Sequence, residues 1–162
     1  MRPVLYLDVD GVLNVLHERS PHWADLTGHD VALAGRTYRL YLSRTMGETL
    51  AALPVDIRWA TTWAEAADYF IAPLVGLAAG LPVACRPVAS DSRYKSAAIR
   101  RQVAAERRPF VWVDDEAIAE DDFAWAERLA VPSLFVRPDP TEGLTPEQLT
   151  TIEEFVTSFA DG

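Results

Sequence analysis

A chain of 162 residues is long enough to bury one substantial core and short for two domains. Its residues are 49% hydrophobic and 24% charged, a globular composition that is neither disordered nor membrane-like. The net charge of −9 at pH 7 argues against strong nonspecific nucleic-acid binding, because the phosphate backbone attracts basic surfaces.

The apolar segments and the cysteine content set the expected compartment. Arg, Asp or Pro interrupts every apolar run before it is long enough to cross a bilayer. Asp8 and Asp10 break the apolar N-terminus, which therefore does not resemble a secretory signal peptide. The single cysteine, Cys85, allows neither an internal disulfide nor a cysteine-based metal site. These features predict a cytoplasmic protein with no membrane partner.

The predicted strands are short apolar runs with little polar alternation, which is typical of strands buried in a parallel sheet. In chain order they are Val4–Asp8, Asp56–Thr61, Pro82–Pro87, Phe110–Asp114 and Ser133–Arg137. An insertion at residues 14–43 follows the first strand and contains the alternating run Thr37–Leu42. We predict a small flap or hairpin there, too short to be a separate domain.

Helices are predicted between these strands. Three begin at capping boxes, in which a Thr hydroxyl accepts a backbone N–H and an acid or amide bonds back. These boxes open at Thr45, Thr62 and Thr145, and the first two helices end near Pro54 and Gly80. Two more helices are predicted at Arg93–Glu106 and Glu120–Leu129. The alternation predicts one doubly wound α/β domain spanning residues 1–162.

Polar residues follow three of the predicted strands. In open α/β sheets, ligands bind beyond the carboxyl ends of the strands. The residues at those ends are Asp8, Asp10 and Gly11, then Thr61 and Thr62, and finally Asp114 and Asp115. Four crowded carboxylates repel one another unless a cation compensates, and Mg²⁺ prefers such oxygen ligands. The sequence therefore predicts a magnesium site.

The order of these residues resembles the motifs of the haloacid dehalogenase (HAD) superfamily. The run Asp8–Asn14, DVDGVLN, resembles the first motif, Thr61 the second, Lys95 the third and Phe110–Asp115 the fourth. The stretch Trp59–Trp63 is similar to the second motif of HAD domains associated with RNA-repair proteins. The resemblance implies a HAD-like, Rossmann-like sheet with a small flap and no full cap domain.

The resemblance also implies a phosphomonoester hydrolase. Asp8 would attack phosphorus to form an aspartyl-phosphate, and Asp10 would act as the general acid and base. Thr61 and Lys95 would contact the phosphoryl group during catalysis, and Gly11 would let the backbone approach it. Thr62 would bind substrate beside them. The magnesium ligands would be Asp8, the carbonyl of Asp10, Asp114, and Asp115 directly or through water.

Several assignments have competitors in the sequence. A calcium loop built on Asp8 to Gly11 fails, because His17 would stand where a bidentate Glu is required. Thr61 is a candidate helix cap, but Thr62 suits that position and leaves Thr61 free. The competitors of Lys95 are Arg93, Arg100 and Arg101, and those of Asp115 are Glu116, Asp121 and Asp122.

The histidines and tryptophans have simpler interpretations. The spacing of His17, His22 and His29 matches no standard zinc ligand pair, so we expect loop residues. Trp59 and Trp112 lie in predicted strands and are expected to pack in the core. The two tryptophans nearer the site, Trp23 and Trp63, are candidates for stacking on a base or ring.

Two other classes of function share some of these ingredients. A phosphoacceptor receiver domain also uses acidic residues, Thr and Lys, but its acidic pair comes early, whereas Asp114-Asp115 comes late. A catalytically inactive HAD-fold binding module would have substituted motif residues, and none is substituted here. Dehalogenases lack the second Asp of Asp-x-Asp, so Asp10 favours phosphoryl transfer.

The short connections between motifs predict an open site. Thr61 and Lys95 are separated by little more than one helix and one strand, which leaves no room for a cap domain. A small flap alone does not exclude water from a small substrate. Exclusion would then come from a bulky substrate, such as a phosphorylated polymer end or nucleotide, or from a neighbouring subunit of a homo-oligomer.

Overall fold

The structure, a computed structural model, describes residues 1–159. The strands in chain order are β1 (Val4–Leu7), β2 (Thr27–Leu33), β3 (Arg36–Leu42), β4 (Asp56–Trp59), β5 (Phe110–Val113) and β6 (Ser133–Val136). The helices are α1 (Arg44–Ala51), α2 (Ala72–Val75), α3 (Tyr94–Glu106), α4 (Glu120–Leu129) and α5 (Pro146–Thr157). A π-helical segment, Ala67–Ile71, leads into α2.

Four of the predicted strands form one parallel sheet in the order β4-β1-β5-β6. Alternate residues of β1 face opposite layers. Leu5 and Leu7 pack with α1, α2 and α5, whereas Val4 and Tyr6 pack with α3 and α4. The prediction of a doubly wound α/β fold is therefore confirmed, while its extension over residues 1–162 as one domain stays a prediction.

The predicted strand Pro82–Pro87 is wrong. Only Val83 pairs with the sheet, through one parallel bridge to Trp59. Trp59 donates its N–H to the Pro82 carbonyl, and Ala84 donates to the Trp59 carbonyl, both at 2.8 Å. Proline at both ends of the run lacks an N–H and cannot continue the ladder.

Two of the predicted helix starts are also wrong. Ser43 caps α1, because its hydroxyl accepts the Met46 N–H at 3.1 Å, whereas the Thr45 hydroxyl binds Asp25. Thr62 caps no helix, because the next helical segment begins only after a turn. The residue itself is exposed. That segment ends at Gly76, whose φ of 79° is left-handed, rather than near Gly80.

The remaining helix predictions are confirmed. Thr145 accepts the Gln148 N–H at 3.2 Å, and the Gln148 side chain accepts the Thr145 N–H at 3.0 Å. The two helices predicted without capping boxes appear as α3 and α4. Among residues 1–159, no helix has the length and apolarity needed to cross a membrane.

Strands β2 and β3 form the predicted hairpin, called the flap below. The two residues at its tip, Ala34 and Gly35, both have positive φ, 52° and 75°. Turns of this kind match the twist of two antiparallel strands. Val31, Leu40 and Leu42 of the flap are buried in the same core as β1. The flap is therefore anchored in the core at its base.

Asp122 carries the main buried ion pair outside the sheet. It is fully buried and accepts hydrogen bonds from Ser96, at 2.5 Å, and from Arg100, at 2.7 Å. Its other oxygen accepts the Ala119 N–H at 2.9 Å and lies 3.4 Å from Arg93. These contacts join the start of α4 to α3.

Replacing Asp122 with Ala should lower the free energy of unfolding by about 2–3 kcal/mol, because buried donors lose their acceptor. Urea unfolding measures this change. Asp121→Ala is the matched control, since the neighbouring carboxylate is exposed and should contribute little. Equal stability of the two variants would contradict a structural role for Asp122.

Candidate active site

The register of the sheet brings the ends of three strands together. Leu7 of β1 pairs with Trp59 of β4 and with Val113 of β5. The residues that follow these strands therefore emerge at one level of the sheet edge. Asp8 follows β1, Asp114 follows β5, and Thr61 comes two residues after β4.

Lys95, in the first turn of α3, joins two of these residues. Its ammonium lies 3.1 Å from Asp8 Oδ1 and 2.7 Å from Asp114 Oδ2. Asp114 is fully buried, and Asp8 and Lys95 are only 6% and 7% exposed. One cation thus holds two buried carboxylates at the centre of the candidate site.

The competing cations lie elsewhere. Arg93 and Arg100 both pair with the acidic residues at the start of α4, Asp121 and Asp122. Those carboxylates are therefore engaged in joining α3 to α4. The geometry separates this structural ion-pair network from the cluster around Lys95.

Burial and neighbouring charges shift the pKa values of Asp8 and Lys95 at the centre of the site. Burial and the charge of Asp114 raise the pKa of Asp8 well above its usual value, although Lys95 acts in the opposite direction. Burial disfavours the Lys95 ammonium, but Asp8 and Asp114 outweigh it and raise the pKa of Lys95. The ammonium therefore stays charged, and the carboxylates remain short of positive charge.

Asp115 adds a third carboxylate. Asp8, Asp114 and Asp115 each offer an oxygen, and the three oxygens lie within 4.8 Å of one another. Burial, followed by the charge of Asp114, raises the pKa of Asp115. When all three carboxylates are ionised, they exceed the single ammonium by two negative charges. That excess and the all-oxygen donor set fit a divalent cation such as Mg²⁺.

Gly11 lets Asp115 approach the first loop. The backbone φ of Gly11 is 75°, in the left-handed region that favours glycine. A β-carbon at this position would collide with the carboxylate of Asp115. Gly11 is therefore required both by its conformation and by the close approach of this carboxylate.

The Asp10 carboxylate is not part of the three-carboxylate cluster and has its own partners. Its Oδ1 accepts from Asn14 Nδ2 at 2.8 Å, and its Oδ2 accepts from Trp63 Nε1 at 3.0 Å. Sequence reasoning assigned neither donor this role. The available signals were positional: Asn14 closes the DVDGVLN run, and Trp63 lies two residues after Thr61.

The two threonines have different surroundings. Thr61 is fully buried, and its hydroxyl oxygen accepts the Trp63 N–H at 3.2 Å, an interaction that does not use the hydroxyl's own O–H donor. Thr62 is exposed and lines two clefts. The first, of about 250 Å³, is lined by Asp10, Leu33, Tyr38, Thr62 and Trp63. The second, of about 220 Å³, is lined by Thr62, Ser92, Tyr94, Lys95, Glu116 and Ala117.

The remaining aromatic and histidine residues lie outside this centre. Trp59 and Trp112 are core residues, as predicted. Trp23 is also buried and donates its indole N–H to the Leu144 carbonyl at 2.9 Å, so stacking by Trp23 is wrong. Among the described residues, no histidine belongs to a group that could hold a metal.

A comparison with known protein families matches most of the chain. The family described as "HAD domain in Swiss Army Knife RNA repair proteins" matches residues 4–149. No curated protein and no solved structure matches the chain significantly.

Added Mg²⁺ should stabilise the fold, because binding to the native carboxylates shifts the unfolding equilibrium. At a hundredfold excess over Kd, the expected rise in Tm is about 5–10 °C. Differential scanning calorimetry with Mg²⁺ or EDTA measures it. Asp115→Asn should lose most of the shift and Asp121→Asn should keep it. A full shift in Asp115→Asn would place the cation elsewhere.

Proposed function

The chain belongs to the family of HAD domains found in Swiss Army Knife RNA repair proteins, and from this premise we propose that it is a magnesium-dependent phosphomonoester hydrolase. The observation that carries the proposal is the cluster of Asp8, Asp114 and Asp115 around Lys95. This cluster combines a nucleophile, ligands for a divalent cation and a fixed positive charge.

Asp8 is the proposed nucleophile. Lys95 and the Val9 N–H both contact its Oδ1, and within residues 1–159 no hydrogen bond engages its Oδ2. Oδ2 is therefore the oxygen available to bond with phosphorus. Attack forms an aspartyl-phosphate and breaks the bond from phosphorus to the leaving oxygen.

Asp10 is the proposed general acid and base. It gives a proton to the leaving oxygen, so the alcohol departs uncharged. It then accepts a proton from water as that water attacks phosphorus. The bond to Asp8 breaks, phosphate is released, and both carboxylates return to their starting states.

The other residues bind and neutralise the phosphoryl group. Mg²⁺ would be held by Asp8, Asp114, Asp115 and the Asp10 carbonyl, and would supply positive charge to the phosphoryl oxygens. Lys95, in the first turn of α3, adds a second positive charge. The proposed phosphoryl contacts, besides Lys95, are Gly11, Thr61 and Thr62.

A catalytically inactive HAD fold used as a binding module is the second candidate. Such a module would have the same fold and belong to the same family as an active enzyme, so family membership does not distinguish the two. The receiver-domain interpretation is set aside, because the chain belongs to the HAD family. The presence of both Asp8 and Asp10 favours the enzyme, and turnover of any phosphomonoester decides between the two.

The proposed substrate is the phosphorylated end of an RNA strand. The family's description names RNA repair, and no cap domain is inserted between Thr61 and Lys95, where the chain forms one helical segment and irregular loops. The open site admits a chain end. With a net charge of −9, the surface would engage only a short terminal segment.

Asp8→Asn should lower kcat on 4-nitrophenyl phosphate by at least about 10³-fold, because an amide is a poor nucleophile. Its fold should survive, since the amide removes one of the crowded charges. The control is Asp56→Asn, the same change at the opposite end of the sheet, at the start of β4. Substantial turnover by Asp8→Asn would remove Asp8 as the nucleophile.

A short RNA oligonucleotide with a terminal phosphate should have a kcat/KM about 10-fold or more above that of glucose 6-phosphate. Binding of one additional base to the open site supplies a difference of this size. Phosphate release measured on both substrates, and on a phosphopeptide, tests the expectation. A strong preference for the sugar phosphate by a monomeric enzyme would refute the open-site interpretation.

A further inference from the structure

The Asp10 carboxylate is held by two N–H donors, one on each oxygen. We propose that Trp63 and Asn14 are positioning residues that fix this carboxylate to the flap. The inference rests on the proposed function, in which Asp10 exchanges protons with the leaving oxygen and with water. It adds to that function a physical link between the flap and the general acid.

Trp63 provides the link on one side. Trp63 is only 9% exposed, and its ring makes a T-shaped contact with the ring of Tyr38 in the flap, at 5.2 Å between centroids. A buried indole N–H is stabilised by an acceptor, and Trp63 has one, whereas the buried indole N–H of Trp112 has none among the described residues. The indole N–H of Trp63 donates to the Asp10 carboxylate, which lines a cleft, whereas the indole N–H of Trp23 donates to a backbone carbonyl.

Asn14 provides the link on the other side. It is 5% exposed, and it donates to Asp10 Oδ1 while its own Oδ1 accepts the Tyr41 N–H at 2.9 Å. Tyr41 belongs to β3 of the flap. One side-chain amide therefore connects the flap backbone directly to the Asp10 carboxylate.

The cleft beside Asp10 shows why this link bears on catalysis. Leu33 and Tyr38 of the flap line the same cleft as Asp10. A leaving group that receives a proton from Asp10 must lie next to that carboxylate, and therefore against the flap. The two hydrogen bonds hold the acid at the position where flap and leaving group meet.

The decisive variant is Trp63→Phe, which keeps an aromatic ring beside Tyr38 and removes only the N–H donor.

Phenyl phosphate and 4-nitrophenyl phosphate are matched substrates of similar shape. Phenol has a pKa of about 10, like tyrosine, so its departure needs a proton. Nitrophenolate is a much weaker base and leaves with little help. Magnesium-dependent turnover of both substrates by the unaltered protein first tests the proposed function.

We expect Trp63→Phe to lower kcat on phenyl phosphate by about 10- to 100-fold, with little change in KM. The loss on 4-nitrophenyl phosphate should be small. Trp23→Phe removes an indole bond of similar length outside the site, and should affect both substrates equally and weakly. Equal losses on both substrates in Trp63→Phe, or no loss on either, would overturn the inference.

A second measurement does not depend on turnover or on the folding of Trp63→Phe. In the ¹⁵N spectrum of the protein, the indole N–H resonance of Trp63 should move upfield when Asp10 is replaced by Ala. The resonance of Trp23 should stay in place. An unmoved Trp63 resonance would show that the hydrogen bond to Asp10 is absent, whether or not the protein proves to be a phosphatase.

Discussion

The buried pairing of Lys95 with Asp8 and Asp114 is the interaction on which the candidate site depends. A single ammonium faces three carboxylates once Asp115 is included, and most of this group is removed from water. Such an arrangement is unfavourable unless further positive charge is supplied. This shortage of positive charge makes the cluster suited to a divalent cation and to the dianionic phosphate that the cation would attract.

The parallel register makes this concentration of charge possible. Because β1 lies between β4 and β5, residues more than one hundred positions apart in sequence, such as Asp8 and Asp114, follow strand ends at the same level. The flap lines the cleft beside Asp10 through Leu33 and Tyr38. Through Trp63 and Asn14 it contacts Asp10 but not the three-carboxylate cluster. The site therefore has one half that belongs to the sheet and a second half tied to the flap.

The sheet and the cluster were predictable because their signals are local. An apolar run that ends abruptly in acid, as at Asp8 and Asp114, indicates both a buried strand and a polar strand end. Pro82–Pro87 showed the limit of that signal, since apolar character alone does not guarantee backbone donors. The roles of Asn14 and Trp63 were not predictable. Their partners depend on how the flap packs, and the bond from Trp63 to Asp10 spans 53 positions.

The central claim is that the phosphoryl group is transferred to Asp8, and trapping the intermediate tests it most directly. The Asp10→Asn variant can still expel a weakly basic leaving group but lacks the base that activates water. Mixed with Mg²⁺ and 4-nitrophenyl phosphate and quenched in acid, it should give a burst of nitrophenol. Mass spectrometry should then locate one phosphoryl group on Asp8. A labelled residue other than Asp8, or no burst and no label from a variant of an active enzyme, would contradict the account.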